Sequence, residues 1–181
     1  SEIANFIYDD ADPWPGRPDG KGSSLELEDE AAVPQTQPGR NAALADGGNW
    51  RSSLAYNGSP GRRGLAVDGR LRLNELLANP AAGQTDAIEL YNPQLQAQAV
   101  GGWYLSNESG NYKKFRVPAG TTLGAAAFIA FDEADFNAPG NPDNPIPFTL
   151  DPNLPEQDLY VLEADAPGNL REFNPHFVGR E

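Results

Sequence analysis

Apolar residues in this chain recur at every second position in short runs, and almost nowhere at helical spacing. Within residues 24–28, Leu25 and Leu27 alternate with Glu26 and Glu28. Within residues 87–91, Ile88 and Leu90 alternate with Glu89 and Tyr91. Both runs predict a strand with one buried and one polar face, the second closed by Asn92-Pro93. Further strand-like runs lie at residues 3–8, 102–105, 114–117, 126–131, 148–150, 159–163 and 170–173. The best helical candidate is 71–82, where Leu73, Leu76 and Leu77 sit three and four apart. It ends in Asn79-Pro80, and Leu71, Leu73 and Glu75 alternate with Arg72 and Asn74, so it too reads as a strand.

Turn signals separate these runs: Asn107 to Gly110, Pro118-Ala119-Gly120, Pro139-Gly140-Asn141-Pro142 and Ala166-Pro167-Gly168-Asn169. Strands at intervals of roughly ten residues without intervening helices predict an antiparallel sandwich or barrel. The 19 glycines and 17 prolines fit many short strands joined by turns. The two halves differ. Residues 1–64 hold three short strand candidates, a polar Ala/Gly-rich spacer at 34–48 and a linker or exposed loop at 58–64, too little apolar material for an independent core. Nearly all the strong strands fall within 65–181, which is the expected main domain.

Net charge is −13, from 26 acidic and 13 basic residues, a field that repels phosphate and argues against nucleic-acid partners. The small basic groups, Arg62-Arg63, Arg70 with Arg72, and Lys113-Lys114 with Arg116, read as solvated turns and strand faces. Cysteine is absent, which excludes disulfides, thiolate metal sites and a Cys nucleophile. Methionine is absent too, so the chain is expected to be a processed or excised piece of a longer protein. No apolar run is long enough for membrane insertion.

From Leu71 onward the chain resembles the bacterial lamin-tail domain family. The resemblance rests on Leu73-Asn74-Glu75-Leu76-Leu77-Ala78-Asn79-Pro80, Asp86-Ala87-Ile88-Glu89-Leu90-Tyr91-Asn92-Pro93 and Gly102-Trp103-Tyr104-Leu105-Ser106. It continues through residues 114–123 (KFRVPAGTTL) and Phe131-Asp132-Glu133-Ala134-Asp135-Phe136. Five blocks in the family's order over about a hundred residues are specific together, though none is alone. The resemblance implies an all-β, immunoglobulin-like antiparallel β-sandwich with Trp103 between its sheets. The Pro118 turn is expected to pair the Phe115 strand with the strand carrying Phe128 and Phe131. Residues 1–64 resemble the last strands of a preceding lamin-tail copy, through Ile7-Tyr8-Asp9-Asp10, Pro13-Trp14-Pro15, residues 19–27, Asn49-Trp50-Arg51 and Gly58-Ser59-Pro60-Gly61. They are expected to pack on the main domain or complete the sheet of a neighbour, giving a strand-exchanged homodimer.

What the family implies for function is a non-catalytic structural or interaction module of a larger secreted or cell-surface bacterial protein, located outside the cell. Its partners would be other domains of the same polypeptide, or surface proteins. The alternative is a Ca²⁺-dependent or glycan-binding adhesion module. Asp132, Asp135, Asn137 and Asp143 are the candidate Ca²⁺ ligands, with Asp9, Asp10, Asp12 and Asp19 in a second acidic loop; neither follows the twelve-residue Ca²⁺ loop pattern. Trp14, stiffened by Pro13 and Pro15, and Tyr104, expected to point away from the Trp103 side, are the candidate ligand or partner rings; the competing reading of Trp14 is a core-end tryptophan. A carboxylate hydrolase using the same acidic loops is the remaining enzyme reading. His176, the single histidine, lies in no nucleophile motif, and there is no P-loop, dinucleotide fingerprint or His/Cys zinc spacing, so no organic cofactor is expected.

Overall fold

The computed structural model describes residues 3–61, 71–151, 153 and 158–173. The chain divides into two compact units, Ser1–Leu65 and Ala66–Arg180.

In the first unit, β1 (Leu25–Leu27) pairs antiparallel with β2 (Trp50–Ser52). Glu26 lies opposite Arg51, and the two form an ion pair at 2.9 Å; the Ser59 hydroxyl donates to the Glu26 carboxylate. Residues 34–48, expected as spacer, contain the helix α1 (Gln37–Leu44). Pro38 sits in its first turn, where the missing N–H costs nothing, and Ala42, Ala43 and Leu44 are strong helix formers. The predicted strand at 3–8 does not form: Ile3, Ile7 and Tyr8 are exposed, and the segment is tied to α1 by Arg40 donating to the Ile3 carbonyl and by the Asn5 N–H donating to Asn41. A row of rings stands where aliphatic residues are scarce. Trp50 stacks between Phe6, at 5.7 Å, and Trp14, at 6.3 Å, while Tyr8 meets Trp14 edge-on. Trp14 is buried, as are Leu44 and Leu54, while Phe6 and Trp50 are half-buried, so the rings supply part of a small core.

The second unit holds the remaining strands: β3 (Arg72–Leu77), β4 (Ala87–Tyr91), β5 (Gln98–Ala99), β6 (Tyr104–Ser106), β7 (Phe115–Arg116), β8 (Thr122–Leu123), β9 (Phe128–Asp132), β10 (Tyr160–Ala164) and β11 (Leu170–Phe173). They form a four-stranded sheet in the order β11-β10-β6-β7, a three-stranded sheet β3-β4-β9 and a small β5-β8 pair, all antiparallel. The expected all-β class is the one observed, and the strand predicted from Leu71 is β3. One buried cluster joins the layers. Ile88, Leu90 and Phe131 come from the three-stranded sheet, and Leu105, Phe115 and Val161 from the four-stranded one, with Trp103 among them as expected.

Two details depart from expectation. The Phe115 strand pairs with β6, and β9 pairs with β4. Phe115 and Phe131 belong to facing sheets and meet ring to ring at 5.2 Å, because the Pro118 turn leads into β8. Residues 148–150 are not a strand. Phe148 stacks on Phe136 at 4.9 Å, and the Leu150 N–H donates to the Asp86 carboxylate at 3.1 Å, which holds the segment on the core without a ladder.

Asn92 is a buried polar junction of this unit. Fully buried at the end of β4, its Nδ2 donates to the carbonyls of Gln96, Leu123 and Gly124 at 2.8, 3.1 and 2.9 Å, and its Oδ1 accepts from the Gln94 N–H at 3.0 Å. A buried side-chain amide whose donors and acceptor are satisfied is stabilising, whereas each stranded partner costs about 1–3 kcal/mol. Asn92→Ala is therefore expected to lower unfolding stability by about 2–4 kcal/mol. Urea denaturation followed by tryptophan fluorescence measures it, and a loss below 1 kcal/mol, of about the size ordinary surface changes show, would mean that the junction is not structural.

Candidate interaction face

The alternation that sends Ile88 and Leu90 into the core turns Ala87, Glu89 and Tyr91 outward. Register then fixes what surrounds them. Arg72, Tyr91 and Phe128 form one row across β3, β4 and β9, and Glu75, Glu89 and Ala130 the next. Tyr91 and Phe128 stack at 4.6 Å with their rings inclined by 26°, yet Phe128 keeps 55% of its surface in solvent. Leu95, on the loop that Asn92 clamps beside this row, is 94% exposed. Glu75 and Glu89 are like charges directly opposite each other, which is unfavourable. A bulge in β3 inserts Asn74 beside them, and its Nδ2 donates to Glu89 at 2.6 Å. The face thus combines an exposed aromatic pair, one cation and two crowded carboxylates. These are groups from which recognition surfaces are built.

The residues singled out from the sequence sit elsewhere. Asp132 and Asp135 belong to a capping box on the single-turn helix α2 (Glu133–Phe136). Asp132 accepts from the Ala134 N–H, and Asp135 accepts from the N–H of Asp132. Asn137 donates to Glu133, and the Asp143 carbonyl accepts the N–H of Arg116. Among the described residues no group of three or more His, Cys, Asp or Glu is placed to hold a metal ion. The first-loop aspartates show the same local use: Asp9 accepts from the N–H groups of Ala11 and Asp10, which hold its carboxyl below the usual range.

Neither candidate ring is a free platform. Trp14 is buried against Trp50 and Gly47, where an added Cβ would come within 2.9 Å of the indole. Tyr104 is also buried, although it does lie on the outer face of the four-stranded sheet. Arg116 and Lys113 each stand 5.9 Å from its ring centroid, and the turn at Gly168 closes over its hydroxyl. Beside it, Tyr112, Tyr160 and Phe173 cover the same face, and burial pushes the Tyr160 hydroxyl well above its ordinary pKa. His176 lies outside the described residues.

A model of the lamin tail domain matches residues 66–164, more than half of the chain. The chain belongs to the lamin tail domain family. This agrees with the resemblance read from the five sequence blocks, and it makes the sandwich an immunoglobulin-like one. The lamin tail domain family is one of immunoglobulin-like domains, a fold suited to interaction modules. No curated protein and no solved structure matches the chain.

The alternation in residues 87–91 turns Tyr91 outward, while Phe128 beside it follows only from the strand register. The available signal was that Phe128 and Ala130 alternate with Ile129 and Phe131, so β9 is apolar on both faces. Lys114, part of a basic group in the sequence, is buried. Its ammonium binds Glu108 at 2.8 Å and Asn107 at 2.9 Å and lies over the Phe148 ring. The Lys114 hydrogen bond, then its charge, then Asn111 hold the Glu108 carboxyl below its ordinary value. A depressed carboxyl favours the fold above its unfolded pKa and loses that contribution as pH falls through the folded value. Because Glu108 is mostly solvent-exposed and screened, Glu108→Gln is expected to cost no more than about 1 kcal/mol at neutral pH. The difference from the parent chain should vanish in acid below the ordinary carboxylate range. Urea midpoints of both proteins across pH test this, and a gap that widened on acidification would contradict it.

Proposed function

We propose that this lamin tail domain is a docking module of a larger secreted or cell-surface protein, and that the Tyr91–Phe128 face is the surface through which it engages its partner. The exposed stacked pair carries the reading. Aromatic rings held rigid on a sheet lose little conformational entropy on binding and are enriched at interface centres. The unit has a complete core without this pair, since Ile88, Leu90 and Phe131 occupy the opposite face of the same strands. Arg72 at one end of the row, and Glu75 with Glu89 in the next, supply a charged rim that fixes orientation more than it adds affinity. Partners of this kind are other domains of the same polypeptide or neighbouring surface proteins.

A photo-crosslinking amino acid placed at Phe128 in the parent polypeptide, on intact cells, tests this. Cross-links to a surface polypeptide are expected, lost when Tyr91 is changed to Ser and not seen when the probe is placed at Arg171. Labelling at Arg171 equal to that at Phe128 would contradict the assignment of this face.

A further inference from the structure

The edges of the two main sheets are not treated alike. The β3 edge is broken by the bulge at Asn74 and carries Arg72 and Glu75. The β7 edge is covered: the Arg116 N–H donates to the Asp143 carbonyl, and the Ile146 N–H donates to the Lys114 carbonyl. The β11 edge carries Arg171, paired with Asp165, and Glu172 beside it. These are the usual means by which a sheet edge is kept from pairing with another chain. β9 has fewer of them: its one charge, Asp132, lies at its C-terminal end. From Phe128 to Phe131 it reads Phe-Ile-Ala-Phe, uncharged, and it is the outer strand of its sheet.

Backbone direction on this edge follows from the ladder. The Asn92 N–H donates to the Ala127 carbonyl, and the register runs Leu90 to Ile129 and Ile88 to Phe131. Antiparallel pairs alternate between bonded and unbonded, so Ile129 and Phe131 bond to β4. Phe128 and Ala130 therefore turn their N–H and C=O groups away from it. Asp132, next in that series, sends its N–H outward to the Asp135 carboxylate, as this alternation requires. Among the described residues nothing takes up the outward groups of Phe128 and Ala130.

We propose that β9 pairs antiparallel with β9 of a second copy of this chain, about a two-fold axis through Ile129, joining two three-stranded sheets into one. That register sets Phe128 of each copy opposite Ala130 of the other and satisfies every outward N–H and C=O on both strands. The exposed ring meets the smallest side chain on the face, a large-to-small match that the strand makes with itself. A closed, isologous contact of this type ends at the dimer. The proposal rests on the docking reading and names its partner. Strands this short bury less than the roughly 1,200 Å² of stable complexes, so the dimer is weak and forms at high local concentration. Each copy carries −13, so added salt screens the repulsion and strengthens the contact, the opposite of an ionic interface.

Sedimentation velocity of the full chain from micromolar to millimolar concentration, at low and at physiological salt, tests this. The weight-average sedimentation coefficient is expected to rise with concentration, and to rise further with salt. Ala130→Pro deletes an outward N–H that β4 does not use, and is expected to weaken association by about tenfold or more. Phe128→Lys, at a side chain already in solvent, is expected to do the same by adding a charged edge residue, and serves if the proline variant does not fold. A monomer under all conditions, or a dimer indifferent to both substitutions, overturns the proposal. If the chain stays monomeric while the Phe128 probe still cross-links to other surface polypeptides, self-pairing falls and the docking reading stands.

Discussion

The side chain of Asn92 ties the exposed end of the three-stranded sheet to the rest of the domain. It closes β4, draws in the loop from Gln94 to Gln96 and holds the carbonyls of Leu123 and Gly124, from which the chain enters β9. Its own N–H bonds to Ala127, so the ladder between β4 and β9 begins at this residue. Fixing both strand ends at one buried point places Tyr91 and Phe128 side by side with little freedom to separate. A rigid pair is what recognition needs, because ordering it on binding then costs little.

The protein uses its polar groups mainly to organise backbone. Asp86 pins the Phe148–Leu150 segment, Asp132 and Asp135 close the ends of a helical turn, and Asp165 accepts the Asn169 N–H, which lowers its pKa. Carboxylates engaged by N–H groups are stabilised in the charged form. Much of the acidity that suggests a cation site in the sequence is thus absorbed locally. The apolar side is equally thrifty. Ring pairs such as Phe115–Phe131 and Phe136–Phe148 join elements that share no ladder, which lets short strands and irregular segments build one core.

The alternation in residues 87–91 fixed which side of β4 faces inward, and the choice of strand over helix for residues 72–77 followed from Asn79-Pro80 and the two-residue period. The family was readable from its five blocks. Less was visible where long-range partners decide the outcome. Asp132 and Asp135 read as cation ligands in the sequence, and their part in a capping box was hidden because a one-turn helix leaves no periodicity. Trp14 and Tyr104 carry the right chemistry for a platform, but their burial depends on Gly47 and Gly168, distant in sequence. Which sheet Phe115 joins, and which strand is left on the outside, are matters of topology that local pattern does not encode.

A sparsely charged edge is tolerable in a strongly acidic protein because long-range repulsion slows unwanted association while close, matched pairing remains available. The account therefore depends on β9 being bonded on one side and open on the other. Amide hydrogen exchange resolved by residue, at dilute concentration, tests this most directly. Ile129 and Phe131 should be protected through their bonds to β4, while Phe128 and Ala130 exchange as free amides. Uniform protection from Phe128 to Phe131 would show that the edge is already covered and would contradict the account.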